Sequence, residues 1–358
     1  MIDQLWRSPG MGARAARALL LPAERAMAGA VTVRNELYDR GMLTTQATSI
    51  PAASIGNLTV GGTGKTPVSA WIAQRLAERG ALPAVVLRGY GDDEPLVHAV
   101  LNPAIPVIVS PDRAKGVADA AARGADIAVL DDAFQHRRVR RAADIVLVAA
   151  DGWTIPRRLL PSGPWREPLE ALRRAHLVVI TNKAATEVEV EAAHMAITRA
   201  APDVPVAAIN LALGDLFRFG DPGAVLPFGR LAGANVLAIA AVGNPDAFFS
   251  QLRRAGAAVV ARGFPDHHRF TRNEVQLLAR LAPAGGMAVC TLKDAVKLAP
   301  LWPADAPALW YVSQPVRVEW GAEHLERQMD ALLAHRTPRD TLTNKEPSTT
   351  ARSAELSS

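Results

Sequence analysis

The side chains best placed to do chemistry fall in one short word, SIGNLTVGGTGKTPV, at residues 54–68. A phosphate-binding loop asks for Gly, four free positions and then Gly-Lys-Ser/Thr. Counting back from Gly64-Lys65-Thr66 puts Thr59 where the first Gly would stand. Gly61, Gly62 and Gly64 let backbone N–H groups approach an anion with no Cβ in the way, and a helix N-terminus behind them adds partial positive charge. The expected cradle runs from Thr59 and Val60 at its mouth, where an outward-pointing Thr59 side chain is tolerable, through Gly61, Gly62, Thr63 and Gly64. Lys65 then reaches the β- and γ-phosphates of a nucleotide, and the Thr66 hydroxyl binds Mg²⁺. A glycine-rich turn without a ligand is the alternative.

A phosphate loop needs acids to hold its metal. ADIAVLDDAFQHRR supplies them, as a buried strand over 127–130 that ends in Asp131 and Asp132. Ligands of such sheets gather beyond the carboxyl ends of the strands, and two adjacent carboxylates repel unless a cation or hydrogen bonds offset them. Either Asp131 or Asp132 then holds Mg²⁺, directly or through water, with Gln135 and His136 within reach of the same site. Without the loop upstream, the acid pair would read as a cap or a turn. Guanine-reading proteins of this kind carry Asn-Lys-x-Asp after a later strand, whereas here Asn182-Lys183 is followed by Ala184-Ala185. The carboxylate that would pair with guanine is missing, which argues against a GTPase.

Parallel strands must position these groups. PAVVL, ADIAVL, ADIVLVAA and AHLVVIT are apolar runs without polar alternation, separated by amphipathic helical text. Such runs are strands buried on both faces. The expected fold is therefore α/β: a P-loop NTPase-like, mostly parallel sheet over 46–210 with helices on both sides, then a second, smaller α/β domain over 234–335. Residues 211–233, broken by Gly and Pro, are expected to be a linker, and 336–358 a disordered tail. Residues 1–45 read as helical, with Pro22 in a first turn and Gly41 closing the helix. Arg14 and Arg17 beside Leu19, Leu20 and Leu21 would suit an acidic membrane surface or packing on the next domain.

A chain of 358 residues can bury two cores, and 49% apolar against 21% charged residues excludes a disordered protein. The net charge of +5 suits an anionic partner without choosing phosphate, nucleic acid or lipid. A single cysteine, Cys290, rules out an internal disulfide and reads as a buried apolar residue. No apolar run approaches the roughly 18 residues that span a bilayer, so the expectation is a cytosolic protein, attached at most to a membrane surface.

The words RNELYDRG, SIGNLTVGGTGKTPV, LRGYG, DEP, DDAFQH, LLPSGPWREP, FPDHHRFT and TLKDAVKL follow one another over most of residues 34–300. In these the chain resembles the tetraacyldisaccharide 4′-kinase family, the lipid A 4′-kinases, whose loop also carries a hydroxyl residue at the Thr59 position. The resemblance implies an ATP-dependent two-domain kinase, peripheral at the cytoplasmic face of the inner membrane. It would phosphorylate the 4′-hydroxyl of a tetraacylated glucosamine disaccharide 1-phosphate to give lipid IVA. Its partners would be ATP with Mg²⁺, the anionic glycolipid and the membrane surface, with no nucleic acid and no obligate protein partner implied.

The family's base matches Asp93 of DEP, partnered by His267 of DHH. A carboxylate oriented by an imidazole can take the proton of an unactivated sugar hydroxyl. With Asp93 in the first domain and His267 in the second, closure is expected to assemble the pair; alone, each word would read as a surface turn or solvated loop. Arg113 and Arg166 match family arginines that would clamp the γ-phosphate or the lipid's 1-phosphate, the alternative being plain surface arginines. The chain departs from the family in a shortened stretch between RGYG and DEP, so that Asp92 competes with Asp93. It also has Ala133 where Gly is usual and Leu292 where Glu is usual. Two rival readings remain: an ATPase coupled to a protein partner, disfavoured by the lack of a metal-spaced His/Cys cluster, and a non-catalytic nucleotide or lipid sensor on the same fold.

Overall fold

The computed structural model describes residues 5, 6, 8, 10–89, 91–153 and 156–336. The tail expected over 336–358 lies outside the described residues from 337 onward, as does Tyr90 of the LRGYG word. Among the elements with described bounds, helices α1 (Met11–Leu19) and α2 (Leu21–Asp39) come first. Pro22 sits in the first turn of α2, and Gly41 follows its end at φ +70°.

The first sheet grows in chain order. Strand β1 (Ala52–Asn57) leads to α3 (Lys65–Glu78), β2 (Pro83–Leu87) to α4 (Asp93–Leu101), and β3 (Val107–Val109) to α5 (Arg113–Ala122). Then come β4 (Ile127–Asp131), β5 (Ala143–Ala149), β6 (Leu177–Asn182), α6 (Glu187–Ala200) and β7 (Val206–Asn210). These strands pair in parallel in the order β7-β6-β5-β1-β4-β2-β3. Every residue of β1, β2 and β4 is buried; the apolar runs of β2 and β4 require it, whereas β1 also encloses the polar Ser54 and Asn57. Ile55, Ile127 and Leu130 are fully enclosed, each burial contributing about 1.5–3 kcal/mol.

The stretch expected to be a linker is instead structured. It carries β8 (Leu216–Arg218) and β9 (Asp221–Leu226), an antiparallel pair whose turn contains Gly220 at φ +82°. The Gly and Pro residues there mark a hairpin rather than a free span. Five more elements follow: β10 (Asn235–Ala240), α7 (Pro245–Arg254), β11 (Ala258–Gly263), α8 (Arg272–Arg280) and β12 (Met287–Thr291). After α9 (Leu292–Leu298) and β13 (Leu309–Val312), the six-stranded second sheet is complete in the order β11-β10-β12-β13-β8-β9.

The second unit does not keep the whole of 234–335. Strand β14 (Arg317–Trp320) pairs antiparallel with β7 and so edges the first sheet. Helix α10 (Ala322–Ala334) buries Leu325, Met329 and Leu332 in that sheet's core, a helical spacing that puts the three on one face. The chain thus returns to where it began, and α9 packs directly on α4 across the two units.

Candidate active site

The phosphate loop is built at the carboxyl end of β1, the central strand. Gly64 is the N-cap of α3 in the left-handed region, at φ +94°. A Cβ there would also lie 2.3 Å from Leu211 Cδ1, so only Gly serves. Asn57, the last residue of β1, braces the loop: its Nδ2 donates to Thr63 Oγ1 at 3.0 Å and to Thr59 Oγ1 at 3.3 Å. The Thr59 side chain is therefore turned back to β1 rather than outward. Lys65 Nζ donates to Asn57 Oδ1 at 3.3 Å and stands 3.8 Å from Asp132 Oδ1. From the strand beyond β5, Thr181 Oγ1 donates to Thr63 O at 3.0 Å and Lys183 Nζ to Gly62 O at 2.5 Å. Burial lowers the Lys183 pKa, opposed by Asp151, with Lys65 and Lys293 adding to the lowering.

The acids stand beside the loop because β4 pairs with β1 in register, Ile55 opposite Asp131. Asp131 is 4% exposed, and His98 Nε2 from α4 lies 3.0 Å from its Oδ2. Burial works against the Asp131 charge, yet the hydrogen bond and charge of His98, with Lys65 adding to them, hold its carboxyl below the usual range. Asp132 has a left-handed backbone, φ 52°. Its carboxylate accepts from Arg166 Nη1 at 3.1 and 3.2 Å, and Arg166 Nη1 also reaches Gln135 Oε1 at 3.4 Å. Ala133, where the family has Gly, does not share the positive φ; the strained position is its neighbour, so the methyl group is tolerated.

Gln135 Nε2 donates to Asn57 O at 2.8 Å, and Arg34 of α2 donates to Gln135 O at 2.7 Å. The N-terminal helix is thereby tied to the site. Arg113 is not a surface arginine: it is 3% exposed and donates to Ser110 O at 2.9 Å and Asp131 O at 3.2 Å. Burial lowers its pKa, with Asp131 and Asp132 opposing. His136 is half-buried beside them; burial and then Arg113 lower its pKa, which favours the neutral imidazole.

Asp93 begins α4 and is 3% exposed. His267 Nδ1 lies 3.0 Å from Asp93 Oδ1, with the carboxylate as acceptor. The pair is therefore already in contact, and no closure is needed to bring these two residues together. Asp92 points elsewhere, to the surface, where it pairs with Arg269 at 2.6 Å. The strained loop of His267, φ 56°, is anchored where Thr271 and Glu274 cap α8 reciprocally. Gly91 faces the pair at φ +94°, and a Cβ there would lie 2.7 Å from Asp93 Oδ1 and 2.9 Å from His267 Nδ1.

One cleft of about 1890 Å³ is lined by residues 59–66 of the loop, by Asp131, Asp132, Gln135 and His136, by Arg113 and Arg166, and by His267. Asp93 backs His267 rather than lining the cleft itself. Among the described residues no cluster of three His, Cys, Asp or Glu side chains could hold a metal alone. Mg²⁺ does not ask for one, since it binds through one or two carboxylates together with phosphate oxygens and waters. The Thr66 hydroxyl, the Asp132 carboxylate and Asp131 Oδ1, which is buried with no hydrogen-bond partner, form a hard oxygen set that fits this ion.

Sequence reasoning did not single out His98, Asn57, Lys183 or Lys297. Asn57, Lys183 and Lys297 stood inside words already read: the loop, the Asn-Lys pair and TLKDAVKL. His98 and Lys297 face the site only through helix packing.

The parallel sheet with its loop and helix defines a P-loop NTPase-like α/β protein. The family described as tetraacyldisaccharide-1-P 4′-kinase matches residues 16–334, and the chain belongs to that family of kinases. A tetraacyldisaccharide 4′-kinase of Anaeromyxobacter sp. (strain Fw109-5) is 38% identical over 93% of this chain and 97% of its own length. Another, from Halorhodospira halophila, is 36% identical over 90% of this chain and 94% of its own. The crystal structure of the "apo" form of LpxK from Aquifex aeolicus in complex with ATP matches with a TM-score of 0.70 at 27% identity. That match covers 88% of this chain and 99% of the other.

Proposed function

We propose that this chain transfers the γ-phosphoryl group of ATP to the 4′-hydroxyl of a tetraacylated glucosamine disaccharide 1-phosphate, giving lipid IVA and ADP. The observation that carries the reading is the buried Asp93 held 3.0 Å from His267, the latter on the wall of the cleft that the phosphate loop lines. A loop alone would fit any ATPase; a carboxylate–imidazole pair facing it suits an alcohol acceptor. In this mechanism the loop's N–H groups and Lys65 neutralise the triphosphate. Thr66, Asp131 and Asp132 would hold Mg²⁺, which supplies charge to the developing phosphate oxygens. The Asp93–His267 pair takes the 4′-hydroxyl proton as that oxygen bonds to the γ-phosphorus and ADP leaves, the imidazole standing on the cleft wall and the buried carboxylate behind it. Asp93, not Asp92, takes this role because Asp92 is engaged outside with Arg269. Arg166, next to Asp132, serves the γ-phosphate; Arg113, tied to the backbone, orients the Asp131 strand end rather than clamping the lipid.

The test supplies γ-labelled ATP, Mg²⁺ and the disaccharide lipid. Labelled lipid is expected, and Lys65→Ala should abolish it; ATP hydrolysis with no labelled lipid would refute the assignment.

The enzyme works at the cytoplasmic surface of the inner membrane in this reading. No helix of the described residues is long and apolar enough to cross a bilayer. Helix α1 buries none of its residues, and Met11 and Leu19 are 86% and 83% exposed, which suits a surface-lying segment. Removing residues 1–40 would also remove Arg34 and Asn35, which hold Gln135 and Glu167. A cleaner test is Met11→Asp with Leu19→Asp, expected to weaken binding to anionic vesicles while leaving ATP binding intact; undiminished vesicle binding would count against the surface role.

A further inference from the structure

Only one oxygen of Asp93 is engaged by His267. The other, Oδ2, is buried with no hydrogen-bond partner, and it faces Lys297 Nζ at 3.8 Å. Lys297 belongs to α9, on the second sheet, and is itself largely buried, with 14% of its side chain exposed. Its ammonium is held from behind by Asp294 Oδ1 at 3.2 Å and lies 5.5 Å from the centre of the Phe270 ring. Asp294 is wholly buried, and its Oδ2 is fixed by the Ala241 N–H at 3.1 Å and the Thr291 hydroxyl at 2.7 Å. The cation is thus anchored through a carboxylate that two strand ends of the second sheet orient.

Docking of α9 on α4 does not require this lysine. One turn earlier on the same helix, Lys293 pairs with Glu94 at 3.7 Å in a more exposed setting. Burying a second ammonium is costly unless the charges it meets return that cost. What it meets is the unpartnered oxygen of the carboxylate in the pair read above as the base. The groups facing Asp93 are His267 from its loop, Lys297 backed by Asp294 from α9, and Glu94 on its own helix opposite Lys293; Asp92 and Arg269 lie outside at the surface.

We infer that Lys297, fixed by Asp294, is a positioning residue for the base: its ammonium stabilises the ionised Asp93 carboxylate through Oδ2 and so leaves Oδ1 aligned with His267. The inference rests on the reading of Asp93 as the base. It makes the second sheet the source of both groups that orient that carboxylate. An opposite charge at this separation in a partly dry site favours the ionised carboxylate.

The experiment measures lipid phosphorylation by Lys297→Met, Lys297→Arg and the double variant Lys297→Met/Asp294→Asn, with Asp93→Asn alongside. The double variant leaves no unpaired carboxylate at position 294, and its amide oxygen can still accept from Ala241, so it decides the question if Lys297→Met fails to fold. Loss of the cation should lower kcat about 10- to 100-fold with the KM for ATP within about twofold. Lys297→Arg should restore kcat. Wild-type kcat in the folded double variant, with Asp93→Asn strongly impaired, overturns the inference while leaving the base in place. A fully active Asp93→Asn overturns the base itself.

Discussion

The phosphate side and the acceptor side of the cleft are built by different means. On the phosphate side the working groups are near neighbours in the chain: Gly61 to Thr66 begin four residues after Asn57, and Asp131 ends the strand paired with β1. On the acceptor side Asp93 meets His267 across 174 residues of sequence and Lys297 across the junction between two sheets. The first is held by backbone geometry and the local bonds of Asn57, with Thr181 and Lys183 adding bonds from the end of β6. The second is held by packing of α9 on α4 and by a buried charge network. A loop of the first kind survives distant changes, whereas a pair of the second kind depends on every element that brings its members together.

The sharpest break of this contrast is Lys65→Ala, which should cost about 10³-fold or more in phosphorylation together with weaker ATP binding by calorimetry. Asp93→Asn should cost about 10²- to 10³-fold in kcat but bind ATP as the parent does; an equal loss of ATP affinity would show that the two sides are not separable. Gly91→Ala places a methyl group against both members of the pair and forces φ +94° on a residue with a Cβ. A loss of about 10²-fold in kcat at unchanged ATP affinity is expected, and full activity would mean that the acceptor hydroxyl does not approach past Gly91.

The smallest effect probes the support of the His267 loop. Hydrogen bonds from the Thr271 backbone and then its hydroxyl hold the Glu274 carboxyl below its ordinary value of 4.5. An acid whose pKa is depressed by folding contributes stability that is complete above the unfolded value and is lost as pH falls through the folded one. Thr271→Ala should therefore lower Tm by a few degrees at pH 7, and the difference from the parent should shrink below about pH 4.5. A difference that stays constant down to low pH would remove Glu274 from the account.

Much of the phosphate side was legible in the text. The unbroken apolar runs gave β2, β4, β5 and β6 because strands buried on both faces leave no polar alternation. The loop was legible because its glycines and lysine are required by the ligand and not by the surroundings. Strands β8 and β9 were hidden because Gly and Pro mark hairpin turns and free spans alike. The return of β14 and α10 to the first sheet was hidden because pairing partners distant in sequence leave no periodic trace.

The sequence by itself determined the class of sheet, the phosphate loop, the acid pair and the family, since each is carried by contiguous residues whose types the chemistry demands. Tertiary structure alone decided that Asp93 rather than Asp92 faces His267, that Arg113 is buried against the Asp131 strand end, and that Lys297 meets the free oxygen of Asp93. The reason is physical: a helix turns neighbouring side chains about 100° apart. Which of them is buried beside a charge therefore depends on what packs against the helix, and that partner comes from elsewhere in the chain.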